Sequence, residues 1–188
     1  MADGAFYNTG QSCCAVERVY VVGDPLDERT YLGPLARRDA ALRVLEAQVA
    51  DAVGRGARVL VGGQRVKRPG FFFAPTVLVD VDPAMQVMRE ETFGPLIGLA
   101  RVGSDEEAVT AMNDTRYGLT AAVYTTDRAR AERLLARVDV GTAYWNCCDR
   151  VSPRLPWTGR GASGLGVTLA RDGIAAFLRP KAWHLRGA

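Results

Sequence analysis

Phe6-Tyr7-Asn8-Thr9-Gly10-Gln11-Ser12-Cys13-Cys14-Ala15 is the stretch around which the rest of the chain makes sense. It sets a thiol just past a Gly-Gln corner, behind an amphipathic Phe-Tyr pair, and an apolar run from Val19 to Val22 follows. A cysteine on a tight bend after a helical turn can hold its sulfur clear of packing. Neighbouring backbone N–H groups then favour the thiolate and can later hold an oxyanion. That is what a thiol needs if it is to attack a carbonyl carbon. The same residues also read as a buried Cys-Cys pair filling space, since free cysteine is among the most buried residue types.

On either side of this corner the chain alternates between two periodicities. Residues 1–9 read as the end of a helix, and Arg18–Val22 as a strand closed by Gly23-Asp24-Pro25. Leu32–Leu35 is a proline loop. From 36 to 54, Leu42, Leu45, Val49 and Val53 recur at helical spacing. Ala57–Val61 reads as a buried strand opening a parallel crossover, and Phe71–Val79 as an extended segment with Pro75 at an edge or bulge. Leu96–Val102 is a strand, and Ser104 with Glu107 forms a capping box for a helix over 106–113. Strand 119–124, a helix capped by Asp127 through Val138, and strand 141–145 follow. Residues 147–166, rich in Pro, Gly and Arg, read as a long loop, and Lys181–Arg186 as a terminal strand available to another chain. The alternation predicts an α/β fold: an open, largely parallel sheet with helices on both faces.

Composition sets the limits. The 188 residues suffice for one domain with a sizeable core, and 48% hydrophobic with 24% charged residues is ordinary for a globular chain. The net charge of +3 comes from scattered arginines, with no Lys/Arg block to bind nucleic acid. No apolar run reaches the ~18–20 residues of a membrane span, and no leader is legible, so the expected location is the cytoplasm. The cysteines form two vicinal pairs, Cys13-Cys14 and Cys147-Cys148, a spacing that suits neither a zinc site nor a disulfide framework. The only histidine, His184, lies in the tail, far in sequence from Cys13.

Three segments carry a family resemblance. Phe6-x-Asn8-x-Gly10-Gln11-x-Cys13-x-Ala15 resembles the active-site cysteine signature of the aldehyde dehydrogenase superfamily. Glu90-Glu91-Thr92-Phe93-Gly94-Pro95 and Asn113–Ala121, with its Tyr117-Gly118-Leu119, resemble two further segments of that family, in its order and approximate spacing. The resemblance implies oxidation of an aldehyde to a carboxylic acid with NAD or NADP, through a thiohemiacetal and a thioester. It implies Cys13 as nucleophile, Glu91 on the nicotinamide ribose hydroxyls and Phe93 beside the nicotinamide. Tyr7, Ser12, Cys14 and Trp157 fall at substrate-pocket positions, although packing is the better reading of Cys14. Arg150 and Arg154 are surface residues that could also meet a substrate carboxylate.

The family is more than twice this length, and its other half carries the Rossmann-type cofactor domain, a glutamate base and one oxyanion donor. Gly161–Gly166 lacks the strand-turn-helix setting of a phosphate loop. Residues 1–188 therefore read as a catalytic domain truncated at its N-terminus, inactive alone and a homo-oligomer through 181–188. Two alternatives stand beside this: a non-catalytic module, either a truncated product or a subunit that needs a separate cofactor-binding chain, and a thiol esterase.

Overall fold

Strand β4 (Leu96–Val102) is the axis of the main sheet, because it is apolar on both faces and buried at every position but Arg101. The computed structural model describes residues 2–23, 39–148 and 151–187. Strands β1 (Arg18–Val22) and β3 (Thr76–Val79) flank β4 and run parallel to it, giving the order β1-β4-β3-β2. The outer strand β2 (Arg58–Val61) is antiparallel to β3. A second sheet pairs β5 (Thr120–Val123) with β6 (Thr142–Trp145) in parallel, and a short antiparallel hairpin joins β7 (Trp157–Thr158) to β8 (Val167–Thr168).

Side chains alternate across the main sheet, as the period of two requires. Leu78, Leu96 and Ala100 pack into one core with Leu42, Leu45 and Val49 of α2 (Asp39–Gly54) and with Val87 and Met88 of α3 (Gln86–Arg89). Val77, Val79, Ile97 and Leu99 point the other way, onto Ala5 and Phe6 of α1 (Ala2–Phe6). A third, smaller core joins Val109 of α4 (Asp105–Asn113) to Leu134 of α5 (Arg128–Leu135), Val138 and the flank of β5. The fold is thus α/β with a mostly parallel open sheet and helices on both faces, as the alternation predicts.

Local signals explain the helix starts. The Ser104 hydroxyl accepts from the Glu107 N–H at 3.1 Å, while the Glu107 carboxylate accepts from Gly103 N–H rather than from Ser104's own. Asp127 caps α5 by accepting from the Arg130 N–H at 3.1 Å.

Several expectations need correction. Residues 57–61 open no parallel crossover: Arg58–Val61 forms an exposed edge strand in a hairpin with β3. The return is possible because Gly62, at φ +78°, lies against the Pro75 carbonyl, where a Cβ would come within 2.1 Å. Pro75 precedes an internal strand, not an edge, and the irregularity sits in β2 between Val59 and Val61. The 147–166 loop contains β7, held by pairing with β8. Within the single chain residues 181–187 form no strand, and Trp183 and Leu185 stand exposed; the expected pairing with another chain is untouched by this. Helices α3 and α6 (Ala170–Ala175) are too short to show a period in sequence. The Leu32–Leu35 loop lies outside the described residues.

Candidate active site

Helix α1 runs directly into a 3-10 turn, Tyr7–Gly10, in which Asn8 and Thr9 sit at φ +47° and +64°. Left-handed backbone at two successive non-glycine residues costs energy and needs support. Gln11 supplies it: its carbonyl accepts from Asn8 Nδ2 at 2.9 Å, and its side-chain oxygen from Thr9 Oγ1 at 3.2 Å. Gly10 continues the bend at φ +69°, where a Cβ would lie 2.1 Å from the Gly94 carbonyl oxygen. A glycine here lets the first signature touch the second.

The next turn, Ser12–Ala15, is closed by the Ala15 N–H donating to the Ser12 carbonyl at 3.0 Å. Its two central residues differ sharply in exposure: Cys13 is exposed, whereas Cys14 is buried with its sulfur 3.3 Å from Ser12 Oγ. Tyr7 contributes backbone to the preceding turn, and its side chain falls outside what is described, as does Arg150.

The Glu90–Pro95 loop is held from below. One oxygen of Glu17 accepts from the Thr92 N–H at 3.0 Å and from the Phe93 N–H at 3.1 Å. Thr92 is buried and donates its hydroxyl to buried Gln48 at 3.0 Å. Phe93 adopts φ +49° and stands 42% exposed. Burial pushes the Glu17 carboxyl above the ordinary glutamate range; the two amides pull it back and the nearby Glu91 charge adds to the rise.

The third signature is tied to the second. Arg116 Nη2 reaches Glu90 Oε2 at 2.5 Å and the Tyr117 hydroxyl at 2.7 Å. The Asn113 side chain donates to the Arg137 carbonyl and accepts from the Asp139 N–H, both at 2.9 Å. This fixes the end of α4 against the turn before β6.

A cleft of about 410 Å³ opens where these parts meet, and Cys13, Glu17, Glu91, Tyr117, Cys148 and Ser163 contribute to its wall. Cys13 and Glu91 both line it. Ser12, Cys14, Phe93 and Trp157 are not part of that wall: the first two pack within the turn, Phe93 stands on the loop outside, and Trp157 is half-buried on β7. Arg154 is exposed. An accessible thiol and a carboxylate in one cleft suit attack on a carbonyl and recognition of hydroxyl groups. Among the described residues no cluster of His, Cys, Asp and Glu could hold a metal ion, and no helix is long and apolar enough to cross a membrane.

Sequence reasoning missed Glu17 and Gln48. The available signal was polarity in an apolar setting: Glu17 abuts a strand that enters the core, and Gln48 lies between Leu45 and Val49 on the buried side of α2.

Residues 20–183 match the aldehyde dehydrogenase family. The chain is 40% identical to the succinate-semialdehyde dehydrogenase [NADP(+)] of Deinococcus radiodurans, over 96% of this chain and 42% of that protein. The fold superposes on lactaldehyde dehydrogenase from Escherichia coli with a TM-score of 0.84 and 33% identity, over 95% of this chain and 42% of that one. It also superposes on betaine aldehyde dehydrogenase from Staphylococcus aureus in complex with NAD+, with a TM-score of 0.83 and 28% identity, over 94% and 40%. The chain therefore spans about two fifths of the length of the relatives it matches. It belongs to the aldehyde dehydrogenase family.

Proposed function

We propose that this chain supplies the thiol-bearing part of an NAD(P)-dependent aldehyde dehydrogenase, which oxidises an aldehyde to a carboxylic acid. One observation carries the reading: exposed Cys13 shares a cleft with Glu91. The Cys13 thiolate adds to the aldehyde carbon, forming a C–S bond as the carbonyl π pair moves onto oxygen. A bound nicotinamide supplies the hydride acceptor. Loss of hydride from the carbon leaves Cys13 as a thioester. Water adds to that thioester, the C–S bond breaks, and Cys13 regains its thiolate as the acid departs.

The residues present fit such a cofactor. Glu91 offers two acceptor oxygens to a ribose diol, and Phe93 offers a flat apolar face on the same loop. Glu17 holds that loop by two backbone hydrogen bonds, so both groups start from a fixed frame. Ser12 and Cys14, flanking the thiol, and Tyr7 and Trp157 are assigned to the substrate pocket. The relatives include an enzyme named for NADP(+) and a complex with NAD+, so either dinucleotide suits the assignment. The Rossmann-type part, the general base and one oxyanion donor would come from chain beyond residues 1–188, in cis or as a separate cofactor-domain chain. Exposed Phe177, Trp183 and Leu185 favour a homo-oligomer. Four free cysteines suit a reducing compartment such as the cytoplasm.

The test is NADH or NADPH formation from several aldehydes. The chain alone should give no robust turnover. Fused behind the portion of the D. radiodurans relative that precedes the matched region, it should turn over, and Cys13→Ala should abolish the rate. Robust turnover by the fusion carrying Cys13→Ala would refute the assignment.

A further inference from the structure

The loop that carries Glu91 is gripped on both flanks. After Glu91, one Glu17 oxygen accepts from the Thr92 and Phe93 amides, and the Thr92 hydroxyl donates to buried Gln48. Before it, two ion pairs span to the loop that follows α4. Arg89 Nη2 meets Asp114 Oδ2 at 2.9 Å, and Glu90 Oε2 meets Arg116 Nη2 at 2.5 Å. Glu91 itself makes no hydrogen bond among the described residues.

The order of charges fixes this match. One loop presents a cation and then an anion, and the other an anion and then a cation. A slip that set Arg89 against Arg116 and Glu90 against Asp114 would bring like charges together. The Arg116 side is anchored in its turn. Its guanidinium also donates to the Tyr117 hydroxyl at 2.7 Å and lies 4.9 Å from the centre of that ring. The Arg116 carbonyl accepts from the Ala162 N–H at 2.8 Å, and the Gly118 N–H donates to Ser163 Oγ at 3.0 Å. Arg89, Glu90, Thr115 and Tyr117 line the same cleft as Cys13 and Glu91, whereas Arg116 stands outside its wall.

We propose that these two ion pairs form a clasp that positions Glu91 for a ribose diol, with Arg116 as its principal positioning residue, a role that rests on the proposed contact of Glu91 with the nicotinamide ribose. Arg116 acts through Glu90 and the peptide that joins it to Glu91. Exposed ion pairs add little to stability. Placement is the finer demand, since a shift of about 1 Å can cost on the order of 10²-fold in rate. Loss of the clasp therefore shows in ribose affinity and hardly in unfolding.

The probe is nicotinamide mononucleotide, which carries both the ring and the ribose diol, titrated into the 188-residue chain and followed by NMR. Glu91→Ala removes both acceptor oxygens and should weaken binding roughly tenfold. Arg116→Gln and Glu90→Gln should each weaken it roughly threefold, and the double variant should be no weaker than either, because the two charges act as one unit. Arg116→Lys keeps a cation opposite Glu90 and should retain most of the affinity. The gap between parent and Arg116→Gln should narrow as salt rises, since both partners are exposed. Urea midpoints should stay close to the parent's in all of these variants. Additive losses in the double variant, or full affinity in Arg116→Gln while Glu91→Ala binds weakly, would overturn the clasp and leave the Glu91 contact standing. Binding indifferent to Glu91→Ala, or no binding by the parent chain, would overturn the Glu91 contact and the clasp's role with it.

Discussion

The main sheet and the β5–β6 unit are built from similar strands but are packed very differently. Among the described residues, thirteen buried ones form the core between the main sheet and α2 and α3, whereas three form the core beneath β5. Apolar burial is the dominant stabilising term, so the first region holds the frame and the second depends on its neighbours. The thiol, Glu91 and the open cleft lie on the seam. A seam is where a reactive group can be held by one rigid body and still meet substrate, cofactor and other chain.

The largest expected effect tests this contrast directly. Leu45 is 1% exposed at the centre of the larger core, and Leu45→Ala should cost about 2–5 kcal/mol. Leu134, 6% exposed in the smaller core, should cost less on the same truncation, because a loosely enclosed site collapses more easily. Urea unfolding of both variants measures the difference. Equal costs would break the comparison.

Next is the corner itself. Gly10→Ala meets both a left-handed backbone and the Gly94 carbonyl, and strain of about 1–3 kcal/mol is expected. The site must shift as well as weaken. Peptide mapping after brief iodoacetamide treatment should show Cys13 labelled ahead of Cys147 in the parent chain, and that lead should shrink in the variant. Buried Cys14 should label slowest in both. Equal labelling of all four cysteines in the parent would count against Cys13 as nucleophile.

Glu17 gives a smaller effect with a sign. Its folded-state carboxyl holds a proton more tightly than in the unfolded chain, with burial as the main cause. The stability it contributes is therefore greatest at low pH and falls as pH rises from about 4.3, the ordinary glutamate value. Glu17→Gln keeps an oxygen for both amides and removes the charge. Relative to this variant, the parent chain should lose stability as pH rises through that window and then level off. Glu17→Ala leaves two amides without their acceptor and should cost about 1–3 kcal/mol at any pH. A parent-minus-Gln difference that stays flat with pH would remove Glu17 from the account of the loop.

Much of this contrast was legible in the sequence, and the failures have common causes. Strands at 18–22, 96–102, 119–124 and 141–145 are readable because their apolar runs are bounded by glycine, proline or capping residues. The β2–β3 hairpin was misread since Val59 and Val61 look like buried strand residues, yet sit 39% exposed at an edge. Periodicity reports pattern, not the number of neighbours. The Cys13–Glu91 cleft became legible only through family resemblance, as no local rule links residues that far apart. Glu17 escaped because its partners are backbone amides, which have no sequence signature.

The smallest stability effect belongs to the C-terminal segment, where the contrast is sharpest. Residues 181–187 form no strand, Trp183 is 71% exposed and Leu185 79%. A side chain that touches little has little to lose, so deleting residues 181–188 should change monomer stability by no more than about 0.5 kcal/mol. Phe177 and Leu178, shortly before this segment in the chain, are exposed as well, and large apolar side chains exposed in such number mark interaction surfaces. The deletion should therefore act on association: light scattering of the parent should give more than one chain's mass, and of the deletion variant a value nearer the monomer. Lys181 lies over the Trp183 ring, 4.7 Å from its centre, and Trp183→Ser should reproduce part of the shift. A parent chain that is already monomeric would remove the segment from any interface, and a deletion that unfolds the protein would place it in the packed frame.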